Sequence, residues 1–252
     1  MTHRSVEATT VLYARIAGLA YVITILLGVF SVNFIASALI VPGDSAATFR
    51  NIAANESLFR IGIAGEILMY VLVILLAFSL YVVLKSFDKY LAMLALLWRV
   101  AESIIGCATI VISGLIPLLL LNDGAVFEQT QLNTLVSLFL KVRGSGLDIV
   151  LIFIGMGGTI FCYLFLKSKI VPRVLAIWGI LTYLSMLILS FTSILYPHLS
   201  ETFKMIIYAP GGLFELLFGL WLLIKGVNLQ PKTKTANFLS GRQTGLVELN
   251  DS

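Results

Sequence analysis

Five ionisable side chains interrupt otherwise apolar stretches of this chain: Glu66, Arg99, Glu102, Asp148 and Glu215. A charge is expensive wherever water is excluded, so each is a candidate for binding or reaction chemistry. Two carboxyl groups brought together could act as acid and base. One carboxyl at depth could hold a proton or a cationic solute. Arg99 and Glu102 stand three residues apart, which puts them on one helical face where they can pair. Three acids then remain without another cation inside the apolar stretches, and at least one of them is expected to be neutral.

Other groupings carry less. Gly144-Ser145-Gly146 is similar to a rhomboid protease serine motif, but Arg143 stands where that motif has glycine. No histidine lies in an apolar stretch to serve as its base. Gly155-Met156-Gly157-Gly158 has no strand before it and is not a nucleotide loop. The paired motifs of aspartyl intramembrane proteases are missing. Cys107 and Cys162 form no CxxC pair, and His3 and His198 lie outside the apolar stretches. We therefore expect no metal site and no cofactor.

The elements that must position these residues are set by composition. Of 252 residues, 59% are hydrophobic and 12% charged, about half the ~25% charged share of a soluble domain. Mean hydropathy is +1.01. A soluble chain of this size could not bury so much apolar surface, so the solvent is a bilayer. That excludes a secreted disulfide scaffold, a disordered chain and a soluble Rossmann or barrel enzyme. The net charge of +4 is carried by loops and tails, as membrane topology requires, and does not point to nucleic acid.

A helix needs roughly 20 apolar residues to cross a bilayer. Six stretches qualify: Tyr13 to Val41, Ile61 to Leu84, Leu91 to Leu121, Leu147 to Leu166, Val174 to Tyr196 and Met205 to Ile224. Ala36-Ser37-Ala38 looks like a signal-cleavage site, but the apolar run before it is too long for a signal peptide, and we read a retained helix. The reading is an all-α bundle of six transmembrane helices, with residues 1–12 and a disordered tail, 227–252, on one side. Eleven of the 17 Lys and Arg residues fall on the side of the termini and five on the other, with Arg99 inside a span. The positive-inside rule then puts both termini in the cytoplasm of a multi-pass plasma membrane protein. The tail lysines could meet anionic headgroups.

On the outer side, Pro42-Gly43 ends the first helix, and Asp44 can cap a short one beginning at Ser45. Between Phe127 and Val142, polar and apolar residues segregate to two helical faces. This fits either a helix lying at the interface or an early turn of the fourth span. No internal repeat supports an inverted-repeat transporter.

The neighbours of the five charges share their helical faces. Arg99, Glu102, Gly106, Thr109 and Ser113 form one stripe, and Gly62, Glu66, Tyr70, Ala77 and Tyr81 a second. Asp148, Gly155, Thr159 and Cys162 form a third, and Tyr208, Gly212, Glu215 and Gly219 a fourth. The four acids are thus expected to point into one outward-facing cavity. At 1.5 Å per residue, Glu102 and Glu215 come about 15 Å into their stretches, near the midplane. Glu66 falls in the outer third, and Asp148 and Arg143 at the mouth, where they could pair. Tyr208, Pro210 and Gly212 mark an expected break of the sixth helix above Glu215.

Several segments resemble a bacterial integral-membrane family catalogued as domain of unknown function 4386. They are Arg15-Ile16-Ala17-Gly18-Leu19-Ala20-Tyr21, Ile40-Val41-Pro42-Gly43-Asp44, Glu56-Ser57-Leu58-Phe59-Arg60, Leu80-Tyr81, Leu97-Trp98-Arg99, Pro172-Arg173 and the run Leu220 to Val227. The resemblance spans Ala14 to Asn228. It implies a prokaryotic polytopic membrane protein and carries no activity with it. Three function classes follow from the residues: a small-solute or proton-coupled transport or binding protein, which we favour, an intramembrane lipid-modifying enzyme, and a structural or regulatory subunit. The partners these imply are the bilayer itself and a small solute or lipid ligand.

Overall fold

The computed structural model describes residues 3–123, 128–196 and 198–228. Among these residues the chain is helical, with six helices long and apolar enough to cross a membrane. The expected tail beyond residue 228 lies outside the described residues.

Helix α1 runs His3–Phe30, widens into a π-helical stretch Ser31–Ala36, and closes with the turn Ser37–Leu39. The short α2, Ser45–Ala54, begins where Asp44 accepts the Ala47 N–H at 2.8 Å, as the Pro-Gly-Asp sequence predicts. Gly43 turns the chain with φ +81°, a value open to glycine at little cost. Helix α3 is Glu56–Leu84. Helix α4 starts at Lys89, capped by Asp88, passes through a second π-helical stretch Val111–Leu115, and ends with Ile116–Asp123. Helix α5 is Gln129–Ser168, α6 is Arg173–Leu195 and α7 is Glu201–Lys225.

The 40 residues of α5 measure about 60 Å at 1.5 Å per residue, twice a ~30 Å hydrocarbon core. The amphipathic stretch after Phe127 is therefore the first turns of the fourth span, not a separate interfacial helix. Glu128 and Gln131 cap it reciprocally, so nothing in the sequence stops it before the membrane begins.

The spanning helices form a closed ring in chain order, α1–α3–α4–α5–α6–α7, with α7 returning to α1. Small residues permit the closure. A Cβ on Gly18 of α1 would overlap backbone atoms of Gly219 and Leu223 of α7, so only glycine lets these helices meet so closely. The outward faces carry exposed Leu97, Ile104, Leu181 and Ile188, a surface suited to acyl chains. Inside are two cores. The larger, with Tyr21, Phe161, Phe165, Tyr183, Phe214 and Phe218, fills the half nearer the termini. The smaller joins α2, the end of α1 and the start of α3 through Leu39, Ile52, Phe59 and Ile63, and α2 also rests on α5. Asn228 donates its N–H to the Ile170 carbonyl at 3.0 Å, which ties the end of the bundle to the α5–α6 turn.

Candidate functional site

The deepest polar group draws on five helices. On α4, Arg99 Nη1 and Glu102 Oε2 lie 2.9 Å apart, the pair their spacing predicts. They are 5% and 1% exposed. Among the described residues, neither atom has a hydrogen-bond partner. On α5, glycine makes the room: a Cβ at Gly157 would come 3.0 Å from Cγ and Cδ of Arg99, and one at Gly158 would strike the Tyr183 ring. The Gly-Met-Gly-Gly run is a cradle for two side chains from neighbouring helices.

Tyr183 of α6 is fully buried and donates its hydroxyl to Glu215 Oε1 of α7 at 2.9 Å. Its oxygen lies 3.1 Å from the hydroxyl of Tyr21 on α1. A phenol has one hydrogen, so with Glu215 ionised that of Tyr183 is committed to Glu215 and Tyr21 is the donor in the second bond. The result is a directed chain, Tyr21 to Tyr183 to Glu215. Arg99 and Glu102 both lie within electrostatic range of Glu215.

A second group sits where α1, α3 and α5 meet. Glu66 Oε1 accepts from Arg143 Nη2 and from Ser31 Oγ, the latter at 2.6 Å. The side chains of Arg143 and Glu66 are 35% and 12% exposed. They line a narrow, half-open pocket with a cavity volume of about 20 Å³, whose walls include Ile35, Leu39, Phe59 and Ile63. The π-helical stretch of α1 forms one wall, and such widened turns recur at functional sites. The second π-helical stretch holds Ser113, buried, whose hydroxyl has no hydrogen-bond partner among the described residues.

The third group holds α5, α6 and α7 together. Ser193 donates to Asp148 Oδ2 at 2.7 Å, and Lys204 Nζ lies 4.0 Å from the same oxygen. About one turn deeper, Ser190 and Tyr208 share a 3.2 Å hydrogen bond.

Three expectations are corrected. First, the four acids do not share one space. Glu102 and Glu215 meet near the middle, while Glu66 and Asp148 each have local partners. Second, Asp148 does not pair with Arg143. Five residues advance a helix by about 140° beyond a full turn, so the two side chains face different neighbours. Third, α7 does not break at Pro210: the helix runs unbroken from Glu201 to Lys225 with Pro210 inside it. Pro210 is exposed, and the helix continues through it despite the missing N–H bond and the crowding of its ring against the carbonyl four residues earlier. Gly212 is not a packing residue, since a Cβ there would meet nothing within 4 Å. Its neighbour Gly211 is the one packed, against Met186 and Thr182.

Tyr21, Tyr183, Ser31 and Ser193 escaped the sequence reading. Each sits on an apolar helix, Tyr183 and Ser193 directly beside Thr182 and Thr192, and hydroxyls of serine and threonine there commonly just bond their own backbone. The one usable signal was the glycine run on α5, which marks a place where something large must lie close.

The chain matches the family described as domain of unknown function DUF4386 over residues 16–226 and belongs to it. No curated protein and no solved structure matches.

Proposed function

We propose that this DUF4386 protein is a membrane-embedded binding and transport protein whose midmembrane centre takes up a proton or a small cationic solute at Glu215. The observation that supports this is the charge balance of the centre. Two carboxyl groups, Glu102 and Glu215, surround one guanidinium, Arg99. With both ionised, the centre carries one net negative charge. An uncompensated charge at that depth costs about 2.5–3.5 kcal/mol even on the mildest scale, and a proton or a bound cation removes that cost.

The hydroxyl chain suits the same role. With Glu215 ionised, Tyr183 must be the donor in their 2.9 Å contact. With a proton on Glu215, the carboxyl becomes a donor and the chain can reverse toward Tyr21. The two directions are two discrete states of one network, which is what a coupled carrier needs. By the count of basic residues, both termini face the cytoplasm of the plasma membrane.

Two measurements on the protein released from membranes, beside Glu215→Gln, test this. Native mass spectrometry detects a bound solute, and infrared spectroscopy detects a protonated carboxyl. A discrete added mass, or a protonated-carboxyl band, present in the parent and lost from the variant supports the proposal. Neither signal, with the variant only less stable, overturns it and leaves the acids as ties between helices.

A further inference from the structure

The pocket beside Glu66 and Arg143 is separate from the midmembrane centre and has a different character. Its walls are apolar and its polar groups are gathered at one place. Ile35, Leu39, Ile40, Phe59, Ile63 and Leu140 supply the apolar lining, and Ser31, Glu66 and Arg143 the polar part. A pocket so divided fits an amphiphile better than a fully hydrated solute. Its lining helices turn Val32, Phe34, Ile61 and Leu138 outward, each more than half exposed, so the surroundings of the pocket are the acyl region of a bilayer.

The polar part is a charge pair with capacity left over. Ser31 and Arg143 both bond Oε1 of Glu66, and Oε2 has no hydrogen bond among the described residues. Arg143 uses one nitrogen on Glu66, and its side chain is about a third exposed. A guanidinium has five N–H donors in a fork that matches phosphate oxygens. A carboxylate with a free oxygen accepts from a primary ammonium. The two charges stand together, so a headgroup that carries both opposite charges pairs with both.

We infer that this pocket is a lipid site for a zwitterionic phosphoethanolamine headgroup, with the phosphate on Arg143, the ammonium on Glu66 and the start of an acyl chain along Ile35, Leu39 and Ile63. The site lies in the leaflet on the α2 side. The wide turn Ser31–Ala36 is part of the device: it delivers Ser31 and Ile35 to the same pocket, one to the headgroup and one to the chain.

The test is lipid retention in nanodiscs made from equal parts of phosphatidylethanolamine, phosphatidylglycerol and phosphatidylcholine with identical chains. After release into mild detergent, native mass spectrometry should find one phosphatidylethanolamine held in preference to the other two. Arg143→Gln and Glu66→Gln should each weaken that retention about tenfold, the loss expected for one charge-assisted contact. Ala36→Phe fills the pocket without touching either charge and should weaken retention as much. Glu215→Gln should leave it unchanged, which separates this site from the midmembrane centre. Equal retention of the three lipids, or retention unaffected by all three pocket variants, overturns the proposal. So does displacement of the lipid by inorganic phosphate alone, which would make the site one for a soluble anion.

Discussion

Apart from the exposed Arg60–Glu56 pair at the start of α3, the described residues hold an arginine–glutamate pair at two depths, built from different parts. Arg99 and Glu102 are three residues apart on one helix, and their side chains are 6% and 2% exposed. Arg143 and Glu66 come from α5 and α3, and their side chains are 35% and 12% exposed. The deep pair is already assembled when α4 is a lone helix, so it enters the membrane with its charges partly offset. The outer pair exists only after two helices have packed, in a region where water or a headgroup can compete for its atoms. Depth thus decides what a salt bridge is for. In the middle it is a fixed charge around which Glu215 is arranged. Near the surface it is a pair that a ligand can share.

The sharpest way to break that comparison is to remove one guanidinium at each depth. Arg99→Leu strands two carboxyl groups in the bundle and should cost about 3–5 kcal/mol, the usual penalty for leaving a buried charge unpaired. Unfolding in detergent micelles should show it. Arg99→Leu combined with Glu102→Leu should recover most of the loss, because both members of the pair have then gone. Equal losses for Arg99→Leu and Arg143→Leu would erase the distinction between the sites.

A smaller effect probes how the centre is held. Gly158→Ala places a methyl group on the Tyr183 ring and should cost about 1–3 kcal/mol by overpacking. It should also pull Tyr183 off Glu215 and shift the tyrosine hydroxyl band in infrared spectra. Gly212→Ala, on α7 with nothing within 4 Å, should stay within about 0.5 kcal/mol of the parent. If the two alanines behave alike, the cradle on α5 is not what positions the network.

These glycines also show what was legible beforehand. The six spans follow from apolar runs because a lipid-facing helix has no other way to satisfy its backbone. Expected and observed limits differ by a few residues for most of them. The fourth differs by eighteen at its start, Leu147 against Gln129, because an amphipathic extension and an apolar span share one helical period. Arg99–Glu102 was legible because its partners are local. Glu66–Arg143, Asp148–Ser193 and Tyr183–Glu215 were not. Each joins residues dozens of positions apart, and nothing in a single helix's pattern says which neighbour it will face. The run Gly155 to Gly158 contained the answer in coded form: a helix keeps glycine at depth where the bulk of a side chain from another helix must enter.

Glu66→Gln sharpens the outer half of the comparison. The pair is partly open to its surroundings, so the loss of stability should be about 1 kcal/mol or less. A loss near that of Arg99→Leu would mean that the outer pair is as dry as the inner one.

The smallest effect concerns Asp148, the acid with the least claim to chemistry. Two groups from the other helices approach the same oxygen, Ser193 at 2.7 Å and Lys204 at 4.0 Å. Hydrogen bonding falls off steeply with distance and angle, whereas an ion pair at the edge of contact range is weak and screened. Ser193→Ala should therefore cost about 1 kcal/mol, and Lys204→Gln less than about 0.5 kcal/mol, both by unfolding in detergent at two salt concentrations. The ranking is the point. If Lys204→Gln costs more and its effect fades with salt, Asp148 belongs with the charged pairs. If Ser193→Ala costs more and salt makes no difference, Asp148 acts as a hydrogen-bond acceptor that ties α5 to α6, and the ion pairs are confined to the places where α3, α4 and α5 hold a guanidinium.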